Sequence, residues 1–175
     1  MGLGKLVGAV VAKQAHRPGF ATAGARLAPL DRALGGATDG RRSLSRLLGV
    51  PHLHLTTVGA RTGYEHAVTV VYARDSDNFV VAGTHWGRPG HPDWTYNLMA
   101  TPQARVALGG ELFWVTGQLV ESPSAEDVRK AKEEGRELAD ERARLWKVLT
   151  GVWPAAATHQ GRSQRPCRVF LLDPG

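Results

Sequence analysis

Two short stretches hold the residues whose types and spacing suit chemistry. The first is Thr56-Thr57-Val58-Gly59-Ala60-Arg61-Thr62-Gly63. A glycine-flanked turn can offer several backbone N–H groups to one anion, as a nest. Arg61 adds a permanent cation with fork geometry, suited to phosphate or carboxylate. The Thr62 hydroxyl adds one more donor. An ordinary hairpin turn with its Arg in water is the alternative, and chemistry alone does not choose. A Walker A loop is excluded, because the Gly-Lys-Ser/Thr ending is missing. The second stretch is Thr84-His85-Trp86-Gly87, then His91-Pro92-Asp93-Trp94-Thr95-Tyr96-Asn97-Leu98. Here a strand ends, a glycine loop follows and a helix begins, and a helix N-terminus is a ready anion site. Trp94 can wall a planar ring. Core packing is the alternative for a Trp at helical spacing.

Metal ligation is not expected. His52 and His54 share one strand face and His85 and His91 flank a loop, but no third ligand falls at familiar spacing. A Ser–His–Asp triad is not indicated either, because no nucleophile-elbow motif is present.

The elements that must position these residues are mostly strands. Residues 52–57 alternate polar and apolar, as a half-buried strand does. Residues 66–73 form a β-branched run, and 79–83 a third strand after the turn 75–78. Two successive hairpins predict an antiparallel meander. A short helix opens at His91-Pro92-Asp93, with Pro92 at its first position and Asp93 at the positive end of the dipole, and stops at Thr101-Pro102. Strands at 104–108 and 111–120 flank Gly109-Gly110, a hairpin turn. The pattern over 122–149 predicts one long helix, started by a capping box of Ser124 with Asp127. Residues 153–157 read as a loop, and 168–172 as a closing strand. The expectation is an α+β fold: a six-stranded small barrel with one long and one short helix over 51–175, after a helical lead-in over 1–50.

The bulk numbers fit that plan. A chain of 175 residues suits one domain with a real core. Cys167 is the single cysteine, so no internal disulfide exists, and its apolar setting marks it as a small core residue. No stretch spans a bilayer. Leu3, Val7, Val10 and Val11 make an amphipathic N-terminal helix, which packs on its own domain or contacts a membrane surface. A cytoplasmic location is expected, with membrane association as the variant. The net charge of +6 favours an anionic partner: nucleic acid, acidic lipid or a phosphorylated cofactor. Nucleic acid is the weaker choice, because aromatics are few and the basic residues scattered.

The order Leu-Thr-Thr-x-Gly-x-Arg-Thr-Gly, an apolar strand, Val-Val-Ala-Gly-Thr-x-x-Gly, then His-Pro-x-Trp-x-x-Asn-Leu-x-Ala-x-Pro resembles the deazaflavin (coenzyme F420)-dependent nitroreductase and quinone reductase family. The resemblance is good over 52–120 and weaker beyond. It implies a split β-barrel like that of flavin mononucleotide (FMN)-binding proteins, an actinobacterial source, and an oxidoreductase that transfers a hydride from reduced coenzyme F420 to a quinone, nitroaromatic or similar flat electrophile. By position, Ala60, Arg61 and Thr62 would hold the coenzyme's phosphate and glutamyl tail. His66, Ala67, Val68, Thr69, Val70 and Val71 would line a groove. Ala82, Gly83, Thr84 and His85 would contact ring or phosphate, and Asp93, Trp94, Thr95, Tyr96 and Asn97 would close the site. Thr84 would hydrogen-bond the acceptor or ring, and His85, His159 or solvent would supply a proton. Trp153, Ala156 and His159 stand where some members place tyrosines over the substrate, and Trp153 and Ala156 would contact it. The turn also departs from the family's frequent Gly-Arg-Lys-Ser/Thr-Gly by one charge. A homodimer is expected. The alternatives are an FMN enzyme on the same barrel, a deazaflavin carrier without turnover, and a nucleic-acid binder.

Overall fold

The computed structural model describes residues 50–175. The expected lead-in over 1–50 lies, except for its last residue, outside the described residues. Within them six strands close into one antiparallel barrel in the order β1-β2-β3-β6-β5-β4. They are β1 (His52–Val58), β2 (Glu65–Asp75), β3 (Asn78–Ala82), β4 (Gln103–Leu108), β5 (Glu111–Val120) and β6 (Val169–Asp173). Helix α1 (Asp93–Ala100) plugs the barrel between β3 and β4, and α2 (Ala125–Glu133), α3 (Glu141–Val152) and α4 (Ala155–Ser163) lie between β5 and β6.

Two hydrophobic layers hold this together. Inside the barrel, Leu53, Leu55, Val70, Phe79, Val81, Val106, Phe170 and Leu172 pack with Trp94 and Leu98 of α1. Outside it, Val80, Ala82 and Val169 pack under Leu145 and Leu149 of α3. Strands β3 and β6 are therefore covered on both faces. That explains why their sequences are continuous apolar runs, whereas β1 and β5 alternate. Cys167 is buried in the outer layer. Arg144 on α3 donates to both carboxylate oxygens of Asp75, at 2.8 and 2.7 Å, fixing the helix over the β2–β3 turn.

Three expectations need correction. The single long helix of 122–149 is two helices, α2 and α3. Gly135 takes a positive φ of 68° after α2, and the Arg136 N–H donates back to Ala131 O at 2.8 Å, closing the helix with a left-handed cap. The apolar stripe continues across this break, so periodicity alone hides it. The expected capping box is present: the Ser124 hydroxyl oxygen accepts from the Asp127 N–H, and the Asp127 carboxylate from the Ser124 N–H. The loop expected at 153–157 is the start of α4. Pro92 stands at the N-cap of α1, one position before the first helical residue.

Leu98 is 1% exposed and seats α1 in the barrel. Leu98→Ala is expected to cost about 2–5 kcal/mol, read as a lower urea midpoint at unchanged slope.

Candidate functional site

Strand β2 is longer than the strand beside it. Its Glu65–Val71 pairs with β1, but β3 pairs only with Tyr72–Asp75. The Tyr72 N–H points at Pro51 O on the β1 side. Backbone direction alternates along an antiparallel strand, so Val70, Val68 and His66 also face β1. Ala67, Thr69 and Val71 then present their N–H and C=O groups to the uncovered edge. An open groove of about 1150 Å³ runs along that edge. The volume exceeds the roughly 300–1,000 Å³ of a pocket for one drug-sized ligand, leaving room for two reactants.

One end of the groove is the β1–β2 turn. The N–H groups of Gly59, Thr62 and Gly63 are engaged within the turn, and that of Ala60 donates to Asn97 Oδ1 at 3.0 Å. The expected backbone nest is therefore largely consumed, which leaves the Arg61 side chain as the turn's cation at this end of the groove. The Thr62 hydroxyl lies 3.1 Å from His66 Nε2. Gly59 permits this packing, since a Cβ there would stand 2.4 Å from Thr62 Oγ1 and 2.9 Å from the His66 ring. Asn97 acts as a staple. Its Nδ2 donates to Thr57 Oγ1 at 3.0 Å while its Oδ1 holds the turn.

The other end is the loop after β3. His85 and Trp86 have φ of 49° and 56°, a conformation that costs of order 1–3 kcal/mol per non-glycine residue. His85 Nδ1 lies 3.2 Å from Gly90 O. A carbonyl only accepts, so Nδ1 carries the hydrogen and a neutral His85 keeps its lone pair on Nε2. His91 is the reverse case. Arg165 Nη1 donates to His91 Nδ1 at 2.9 Å, which requires an unprotonated Nδ1. Burial, then the charges of Arg165, Arg168 and His85, push His91 below its ordinary value of 6.5.

The groove gathers most of the residues singled out in the sequence: Ala60, Arg61, Thr62, His66 through Val71, Ala82, Thr84, His85, Asp93, Trp94, Tyr96, Asn97 and Trp153. Trp94 reaches it only marginally, being 7% exposed and packed on Phe170 in the barrel core. Four others do not line it. Thr95 is buried, with its hydroxyl donating to Pro92 O and accepting from Arg168. Gly83 is engaged through its backbone with Arg168 and Arg165. Ala156 is buried on α4, and so cannot form the substrate wall. His159 is 1% exposed, behind the rings of Trp86 and Trp153, so it is not placed to hand a proton to a substrate. The loop expected at 153–157 became a helix, and that buried both side chains. Gly59, Trp86 and Pro92, which stand in the two stretches without an assigned role, also line it, and sequence reasoning missed His52, Arg88, Met99 and Ala100. Helical spacing was a usable signal for two of them, because Tyr96, Met99 and Ala100 share the face of α1 turned away from Leu98.

Residues 32–136 match the family described as F420H(2)-dependent quinone reductase. An F420H(2)-dependent quinone reductase of Mycobacterium tuberculosis is 31% identical over 151 residues, covering 85% of this chain and 91% of its own. The chain belongs to the F420H(2)-dependent quinone reductase family. It is thereby an F420-dependent oxidoreductase. Among solved structures, an F420-H2 dependent reductase shares the fold at TM-score 0.56 and 23% identity, covering 70% of this chain and 94% of that one. Another, described as a domain-swapped dimer, superposes at TM-score 0.58 with 25% identity, covering 81% and 90%. The split-barrel expectation agrees with the closed six-stranded barrel seen here. Among the described residues of the reductase, no helix is long and apolar enough to cross a membrane.

Asn97→Leu removes the donor to the buried Thr57 oxygen, which keeps only its 3.5 Å bond to His66 O, and the acceptor of the Ala60 N–H, and is expected to cost about 1–3 kcal/mol. Chemical denaturation checks it. The His91 shift predicts a pH limb of stability. Above 6.5 the contribution is whole, and it is lost as pH falls below 6.5 toward the lowered folded value, because the unfolded chain takes up the proton first. Melting temperature should fall over that window, and His91→Gln should flatten it.

Proposed function

We propose that the reductase binds reduced coenzyme F420 along the open edge of β2 and passes its hydride to a quinone or similar flat electrophile, nitroaromatics included. The observation that carries this reading is the conjunction in one groove of an uncovered strand edge, a cation at one end and an aromatic wall at the other. The residues fit the group. Ala67, Thr69 and Val71 offer alternating backbone donors and acceptors to the polar edge of a planar heterocycle. Arg61, with Thr62 and His66 beside it, suits the phosphate and glutamyl tail. When bound, the reduced coenzyme supplies the hydride.

The chain's own part is to bind, orient and exclude water. Trp86 and Trp153 stand as the wall of the acceptor space, and each packs on the buried His159 ring, at 5.8 and 5.2 Å between centroids. His159 thus supports the wall instead of donating a proton. Thr84 is 6% exposed at the lip and suits a hydrogen bond to a ring or acceptor oxygen. A proton for the reduced acceptor comes from solvent or from His85 Nε2 in the imidazolium form, while Nδ1–H stays committed to Gly90. The barrel over 51–175 is the cofactor-binding unit in this reading, and a homodimer is supported by the domain-swapped relative.

Titration with oxidised coenzyme F420, followed by Trp fluorescence, should give saturable quenching from Trp86 and Trp153. Arg61→Ala combined with His66→Ala should weaken binding by about tenfold or more, equal to about 1.4 kcal/mol. Unchanged affinity would overturn the tail placement. Quenching by FMN alone would replace the cofactor.

A further inference from the structure

One guanidinium joins the two ends of the loop that forms the far wall of the groove. Arg165, in the segment leading to β6, donates from Nη1 to His91 Nδ1 at 2.9 Å and from Nη2 to Gly83 O at 3.2 Å. Residues 83 and 91 are where the loop leaves β3 and where it enters α1. Between them, His85 and Trp86 hold positive φ, and His85 Nδ1 donates across the loop to Gly90 O. Such a backbone persists only where its surroundings over-determine it. The Gly87 N–H to Thr84 O and Arg88 N–H to His85 O bonds close its tight turn.

We infer that Arg165 is a positioning residue of this reductase: by clamping Gly83 to His91 it holds the strained loop that aims Thr84, His85 and Trp86 into the groove. The planar fork of Arg reaches both acceptors at fixed geometry, which a single ammonium does not. Closing the loop at its ends removes conformations that the loop would otherwise sample. The clamp requires a His91 whose Nδ1 is free to accept. The charged and titratable groups facing His91 are Arg165 and Arg168 from the β6 lead-in and His85 from the loop, with the Tyr96 ring of α1 at its edge. Burial first, and then these neighbours, oppose a proton on His91. When one is forced on at low pH, Nδ1 becomes a donor and the clamp loses one of its two bonds.

This inference rests on the groove being the coenzyme and acceptor site, but its first readout does not. Hydrogen exchange at the 84–88 amides, in protein without coenzyme, should be about tenfold faster in Arg165→Met than in wild type, with Arg165→Lys between them. His91→Phe removes the acceptor and should also speed exchange. His91→Asn keeps an acceptor at the Nδ1 position and should stay near wild type. If Arg165→Met does not fold, the two His91 variants decide. After correction for intrinsic rates, wild-type loop exchange should stay level above pH 6.5 and rise as pH falls below it, and His91→Asn should be flat. With reduced coenzyme and a quinone, kcat should fall about tenfold in His91→Phe while affinity for the oxidised coenzyme changes less, because a misplaced wall misorients the acceptor. Wild-type exchange in both Arg165→Met and His91→Phe would overturn the clamp. Failure of the wild-type protein to bind the coenzyme would overturn the functional reading and leave the clamp to stand on exchange.

Discussion

An antiparallel barrel of six strands satisfies its backbone only where each strand is paired on both edges. In this molecule β2 runs from Glu65 to Asp75, while β3 turns away at Ala82 and covers only its last four residues. The unpaired polar edge at Ala67, Thr69 and Val71 must meet water or a ligand, because an unmet buried N–H or C=O is expensive. The groove exists because β3 leaves early, and β3 leaves early because the chain must turn through Gly83–Gly90 into α1. Among the described residues, the groove that gathers most of the singled-out side chains lies along that departure.

Two side chains from distant parts of the sequence set the groove's two ends. Asn97 of α1 grips the β1–β2 turn through Ala60 and Thr57, and Arg165 grips the loop through Gly83 and His91. Both work through hydrogen bonds to groups that are part-buried or buried, where a lost partner costs more than at the surface. The helix that plugs the barrel thus also gauges the distance between the cationic and aromatic ends. Leu98 on its inner face carries the hydrophobic load, and Tyr96 and Met99 on its outer face look into the groove. Core and site share one helix with two faces.

Support for the aromatic wall comes from α4, whose Arg162 side chain and His159 carbonyl lie where a Cβ at Gly87 would crowd them. His159 fills the space between Trp86 and Trp153 with a flat ring, matching two larger flat rings at edge and tilted geometry. A residue type that usually signals acid–base chemistry is buried here between two indoles. Thr95 is likewise structural, its hydroxyl donating to Pro92 O in the first turn of α1 and accepting from Arg168.

The strands, the hairpin at Gly109-Gly110, the α1 start and the capping box at Ser124 were all legible in the sequence, because each is decided by neighbours within a few residues. So were Arg61 and the 84–97 stretch, where glycine, proline and aromatic residues fall at informative spacing. The break at Gly135 and the α4 helix were not, because an apolar stripe can be carried across a cap, and Trp-Pro followed by Ala reads equally as loop or helix start. Which predicted residues meet the groove was settled only in three dimensions. His85 and His159 are alike in sequence terms, yet one faces the groove and the other is sealed behind two indoles. Side-chain direction at a loop or helix junction depends on how the barrel closes. The clamp of Arg165 on His91 spans 74 residues and leaves no local trace. Sequence by itself determined the strands and α1, since these follow from local residue types, and the order of its two motifs carried the resemblance to the family. The tertiary structure alone decided which groups share the site, since that depends on where β3 stops pairing with β2.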